Sequence, residues 1–173
     1  MRLYKAKVPE IASALIQTLN DDGHIEVENA NRTEAEADMV AIMHEYLNRD
    51  RLLRESVRER MSRLSIPYDQ YSKIRSQIAQ DWGHPIGNRV ERYLSSQFIE
   101  SFMISHFIEE VYSADHIMRK SILEVLKTFD VDEGALRDEA RDQVKNISEN
   151  TVEYEIRFSQ ALKEIKRKHG LID

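Results

Sequence analysis

Six histidines, His24, His44, His84, His106, His116 and His169, are the side chains through which this 173-residue chain could most readily hold a metal ion or move a proton. Their spacing argues against both. A di-iron site in a helical bundle needs Glu-x-x-His on two helices plus partner glutamates, and no histidine here has a glutamate three positions before it. His106 with Glu109 or Glu110, and Asp115 beside His116, are the histidine and carboxylate sets within helical reach, and neither has a second motif to complete a ligand set. The sequence contains no His-Glu-x-x-His pair, no phosphate-cradling Gly-rich loop and no Gly-x-Ser-x-Gly elbow. With no cysteine it offers no thiolate zinc site, no disulfide and no sulfur nucleophile, which fits a cytoplasmic chain. These residues therefore assign no catalytic group, no metal ligand and no cofactor. An enzyme would have to assemble its site from residues scattered along the sequence.

Binding chemistry is better represented. Arg49, Arg51, Arg54, Arg58, Arg60 and Arg63 form the densest basic run, and Arg51, Arg54 and Arg58 are the residues that would meet a nucleic-acid backbone. Asp50, Glu55 and Glu59 interleave with them, however, and favourable pairs four residues apart describe a solvated helix face more economically. A second basic cluster, Lys163, Lys166, Arg167 and Lys168, falls where cations offset a helix C-terminus. The formal charge of -6 also disfavours general attraction to phosphate or anionic lipid. Nucleic acid is thus the runner-up partner, behind protein.

The third cluster is apolar. Phe98, Ile99, Phe102, Met103, Ile104, Phe107 and Ile108 cover more of a helix than one core needs. Ile104, Ile108 and Tyr112 follow at four-residue spacing on a flank of that expected helix, so they are the expected interface for a homodimer or another protein.

These side chains must be positioned by helices. Five glycines and three prolines leave little room for the turns of a many-stranded sheet, and charged residues make up 32% of the chain. Val8, Ile11, Leu15 and Leu19 stripe a helix from about Pro9 to Asn20, which Gly23 ends, and Ile25-Glu26-Val27 can form one short extended segment or bridge. Thr33 with Glu36 reads as a capping box before a stripe of Met39, Ile42, Met43, Tyr46 and Leu47. After a joint at Asn48 to Asp50 the stripe resumes with Leu53, Val57, Met61 and Leu64. Pro67 opens a helix whose Tyr71, Ile74, Ile78 and Trp82 share a face, and Gly83, Pro85 and Gly87 punctuate the midpoint. Asn88 with Glu91 caps the apolar helix near residues 90–108. Met118, Ile122, Val125, Leu126 and Phe129 mark the next helix, then Leu136, Ala140, Val144 and Ile147, and Asn150 with Glu153 caps a last one through Tyr154, Phe158, Leu162 and Ile165. No apolar run is long enough to cross a bilayer as a helix, and the short Ile11 to Ile16 run behind Glu10 is no signal segment.

Laying Val8 to Tyr71 over Glu91 to Tyr154 aligns these elements without a gap. Identities include Ile16 with Ile99, Ile25 with Ile108, Glu26 with Glu109, Leu53 with Leu136, Arg54 with Arg137 and Tyr71 with Tyr154. The apolar phase agrees as well, Ile11, Leu15 and Leu19 meeting Leu94, Phe98 and Phe102. The expected fold is all-α, with seven to eight helices in two similar, internally duplicated halves, 1–84 and 88–173, packed as one unit around the central apolar helix.

Met1-Arg2-Leu3-Tyr4, Ile25-Glu26-Val27, Ile108-Glu109-Glu110-Val111-Tyr112 with Asp115, Met118 and Arg119, and the closing Lys166-Arg167-Lys168-His169-Gly170-Leu171-Ile172 together resemble the bacterial domain-of-unknown-function family numbered 507. The resemblance spans the whole chain and departs from the family pattern around His84 to Asn88. It implies a bacterial cytosolic origin and carries no activity or site residues with it. On the residues themselves, a non-enzymatic interaction or scaffold protein is the leading expectation.

Overall fold

The computed structural model describes residues 1–149 and 151–172. Helix takes 71% of the chain and strand 2%, so the fold class is all-α. In chain order the elements are α1 (Val8–Asp21), β1 (Ile25–Glu26), α2 (Arg32–Arg63), α3 (Tyr71–Asp81), α4 (Val90–Phe102), β2 (Glu110–Val111), α5 (Asp115–Thr128), α6 (Glu133–Val144) and α7 (Val152–Lys168). Single 3-10 turns precede α1, α3 and α4.

The central body is built from α1, the first half of α2, α4 and α5. Ile11, Leu15 and Leu19 on α1, Met39 and Met43 on α2, Leu94 and Phe98 on α4, and Met118, Ile122 and Leu126 on α5 are buried in one cluster. Each large side chain so enclosed contributes about 1.5–3 kcal/mol of transfer free energy. Helices cross between the halves: α1 packs on α2 and α5, and α4 on α5 and α2. The expected extended segment at Ile25 is β1, and it pairs antiparallel with β2, Ile25 opposite Val111 and Glu26 opposite Glu110. Glu109 N–H donates to the Glu26 carbonyl at 2.9 Å, and Tyr112 N–H to that of His24 at 2.9 Å, which extends the pairing by a residue at each end.

Two helical hairpins project from this body as arms. The second half of α2 folds with α3 around Leu53, Val57, Met61, Ile74 and Ile78. In the other arm α6 and α7 enclose Leu136, Ala140, Val144, Ala161 and Ile165. The chain's first residues tie that second arm to the body, because neighbours in an extended backbone face opposite ways. Leu3 enters the central cluster, whereas Tyr4, at φ -104° and ψ 132°, enters the cluster of α6 and α7.

Several local expectations give way to tertiary packing. No joint interrupts α2 at Asn48 to Asp50: Tyr46, Asp50, Leu53 and Val57 are all buried on one face, so the two cores share a continuous helix. The apolar helix stops at Phe102 rather than running to Ile108. Ser105 N–H closes on the Ser101 carbonyl at 2.8 Å and its hydroxyl donates to Asp38 at 2.7 Å, so the chain turns away and reaches β2 through a second turn at residues 106 and 107. Trp82 falls beyond the end of α3 and is 41% exposed, not part of the buried Ile74 and Ile78 face. Thr33 and Asn88 are not caps. α2 starts at Arg32, which pairs with Glu36 at 3.0 Å, and Asn88 lies inside the 3-10 turn before α4. Asn150 lies outside the described residues, and the side chain that caps α7 is Thr151, accepting from the Tyr154 amide at 3.2 Å.

Candidate functional site

The most heavily charged buried cluster lies where the first arm meets the body, and helical spacing assembles it. Tyr46, Asp50 and Arg54 are successive steps of four along α2. α3 supplies Arg75. The turn after α3 supplies His84: Gly83 adopts φ +61°, which permits the His84 amide to close on the Ala79 carbonyl at 2.8 Å and turns the histidine back under the arm.

Asp50 is the hub. Its Oδ1 accepts from Arg75 Nη2 at 2.9 Å, and its Oδ2 lies 3.0 Å from Arg54 Nη1. His84 Nε2 is 3.6 Å from Oδ1, too far for a hydrogen bond. The His84 ring, 1% exposed, stacks on Tyr46 with centroids 5.0 Å apart, and neither of its nitrogens has a hydrogen-bond partner. Tyr46 donates to the Pro85 carbonyl at 3.3 Å. Burial, reinforced by the Asp50 charge, pushes the Tyr46 phenol up to about 12, so it stays protonated and acts as a donor rather than as a base.

Burial also holds the His84 pKa below its ordinary value, against the opposing pull of Asp50, while Arg49 and Arg75 push it down further. A depressed histidine stays neutral in the fold where the unfolded chain has already taken up a proton. Its contribution to stability is therefore complete above the unfolded pKa of about 6.5 and is lost as pH falls from there to the lower folded pKa. His84→Phe keeps a ring against Tyr46 but cannot titrate. Urea midpoints measured from pH 7.5 downward should fall less steeply below about 6.5 in this variant than in the wild type. Parallel profiles would remove His84 as the titrating group.

A cavity of about 760 Å³ opens beside this cluster, between the segment Met1 to Ala6, the middle of α2, α3 and the end of α7. Asp50, Arg54 and Arg75 form part of its lining, together with Arg2, Lys5, Arg137 and Lys166. Behind the lining, Glu133 answers Arg2 at 3.3 Å and Lys166 at 3.1 Å. Both cations approach the Tyr4 ring, Arg2 and Lys166 lying 5.4 and 5.5 Å from its centre.

The residues singled out in the sequence are not brought together. Arg51 is paired with Glu55 at 2.6 Å and Arg54 with Asp50, as their spacing suggests, while Arg58 is exposed on α2. Ile104 and Tyr112 are exposed, 79% and 62%, but Ile108 is 9% exposed and belongs to the central core. The three residues do not share a helical flank, because α4 ends before Ile104 and Tyr112 follows β2. The Tyr112 hydroxyl donates to the Glu26 carboxylate, a bond that raises the phenol pKa. Among the described residues no three histidine, aspartate or glutamate side chains form a group that could hold a metal ion.

The family described as "Protein of unknown function (DUF507)" matches residues 1–171, nearly the whole sequence. The chain belongs to the DUF507 family. No curated protein matches this DUF507 chain, and no helix in its described residues is long and apolar enough to cross a membrane. The Asp50 hub was legible only as one helical ion pair with Arg54. Arg75 and His84 come from a different element, and the only trace of their convergence is the Gly83-His84-Pro85 punctuation after α3.

Proposed function

We propose that this DUF507 protein is a non-enzymatic interaction or scaffold protein whose partner contact is centred on Met103 and Ile104. The observation that carries the reading is a difference between two corresponding helix ends. When Val8 to Tyr71 is laid over Glu91 to Tyr154, the end of α1 falls on the end of α4, and the same closing bond recurs: Asp22 N–H to Thr18 C=O at 2.9 Å, Ser105 N–H to Ser101 C=O at 2.8 Å. Asn20 and Asp21 occupy the exposed positions of the first end, and Met103 and Ile104, 62% and 79% exposed, occupy those of the second. A helix end of this shape thus folds with polar residues there, so the fold itself does not call for Met and Ile. Exposed apolar side chains on a turn pinned through Ser105 to Asp38 fit contact with another protein.

The two halves read as copies of one plan. Support comes from the shared order of helix, short strand and helices, from the reciprocal packing of α1 on α5 and α4 on α2, and from the antiparallel β1 and β2 pair between them. The second copy divides into α5 and α6 what the first keeps as α2. A second copy of the chain is one protein that could cover Met103 and Ile104, with Tyr112 at the rim.

A photo-crosslinking residue at Ile104, used in extract of the native cell, and light scattering of the purified chain test this together. Ile104→Glu should weaken the association roughly tenfold or more, the scale of one buried isoleucine. At a side chain so exposed it should leave folding stability within about 0.5 kcal/mol. A monomer that yields no crosslinked protein would overturn the proposal. The runner-up is nucleic-acid contact through Arg51, Arg54 and Arg58. Since Arg51 and Arg54 already face carboxylates, Arg58 with Arg60 and Arg63 would have to carry it, and salt-dependent retention on immobilised nucleic acid separates the two.

A further inference from the structure

Cations outnumber carboxylates around the cavity between the N-terminal segment and the two arms. Among the described residues, six cationic side chains line it and a single carboxylate, Asp50, in a chain whose formal charge is -6. Counting Glu133 behind Arg2 and Lys166, two carboxylates of the described residues answer six cations. Asp50 is shared between Arg54 and Arg75. Lys5 and Arg137 have no ion-pair partner among the described residues.

The correspondence of the halves sharpens this. Arg54 and Arg137 occupy matching positions on α2 and α6, four residues after Asp50 and Glu133 respectively. On α2 the carboxylate reaches forward to its own arginine at 3.0 Å. On α6 the carboxylate turns instead to Arg2 and Lys166, which leaves Arg137 to the cavity.

Leu47, Val90 and Leu171 contribute apolar lining. The volume falls in the range of small-molecule sites, about 300–1,000 Å³, and exceeds what one inorganic anion fills.

We infer that this cavity binds a phosphorylated organic molecule, its phosphate held by the guanidinium groups of Arg137 and Arg75 and its carbon portion laid against Leu47 and Leu171. A phosphate monoester brings nearly two negative charges at neutral pH and three acceptor oxygens, which matches the surplus of cations. Forked guanidinium groups suit phosphate better than a lone ammonium does. A nucleotide and a sugar phosphate share this chemistry, and the ligand panel distinguishes them.

The test is isothermal titration of the full chain at low salt with adenosine 5′-monophosphate, glucose 6-phosphate, inorganic phosphate and, as a neutral control, adenosine. Saturable binding of one or both monoesters, tighter than inorganic phosphate and absent for adenosine, is expected. Arg137→Gln should weaken it about tenfold or more. Because Arg137 is exposed and has no ion-pair partner among the described residues, Arg137→Gln should melt as wild type does without ligand, which separates lost binding from lost fold. Arg58→Gln, on the exposed face of α2, should leave binding unchanged. No saturable binding of either monoester, or an equal loss in Arg58→Gln and Arg137→Gln, overturns the assignment, the second because it marks diffuse attraction to the whole protein.

Discussion

Phe98→Ala is expected to lower the stability of the protein by about 3–5 kcal/mol, the range for emptying a large aromatic site in a well-packed core. Phe98 is 0% exposed at the middle of α4, in the cluster shared by α1, α2 and α5. The site cannot easily collapse into the space, because it lies among helices contributed by both halves, and relaxation of any one would disturb the others. Against a total stability of about 5–15 kcal/mol this is a large share. At this chain length it corresponds to a fall in melting temperature of roughly 6–20 °C. Urea unfolding followed by far-ultraviolet circular dichroism measures it, with the slope unchanged if only the native state is affected. A loss under about 1 kcal/mol would mean that α4 is not the centre of the core.

That Phe98 is central could be read from the chain, and so could most helix positions, since the periodic stripes of Ile11, Leu15 and Leu19 or of Met118, Ile122 and Leu126 are local properties. Where helices end was less legible. Nothing between Phe102 and Ile108 is a glycine or a proline, and the turn there depends on Ser105 reaching Asp38 and on β2 finding β1, both long-range events. Ile108 consequently keeps its apolar role but fills the core from the loop that leads into β2 rather than from a helical flank. The absence of a joint at Asp50 has the same origin. A charged residue in an apolar stripe suggests a solvent-facing break, but Arg75 from α3 neutralises it inside the stripe. For the cavity, Arg54 and Arg137 were visible as a matched pair in the overlay, while Tyr4 and Lys166 come from opposite ends of the chain and share no pattern that spacing can reveal.

Asp50→Ala should act in opposite directions on folding and on the cavity. Asp50 is 8% exposed and is the only carboxylate among the described residues in contact with Arg54 and Arg75, so its removal leaves two guanidinium groups without a counter-charge beside a histidine whose nitrogens already lack hydrogen-bond partners. Breaking a fully buried pair costs about 3–5 kcal/mol. Here Arg54 and Arg75 remain 40% and 31% exposed and can turn part of their charge to water, so about 2–3 kcal/mol is expected. Arg75→Leu in the same chain removes the stranded charge, and the double variant should be more stable than Asp50→Ala alone, a coupling that a double-mutant cycle isolates. Strictly additive losses would show that the two side chains do not depend on each other. The cavity responds the other way. Asp50 repels any anion that enters beside Arg75, and Asp50→Asn keeps the side-chain shape while deleting that charge, so adenosine 5′-monophosphate or glucose 6-phosphate should bind this variant several-fold more tightly than wild type. A protein that becomes less stable yet holds a phosphate monoester more firmly is the outcome peculiar to a carboxylate that serves the fold at the expense of the site; weaker phosphate binding in Asp50→Asn would instead mean that Asp50 orients Arg75 for the ligand.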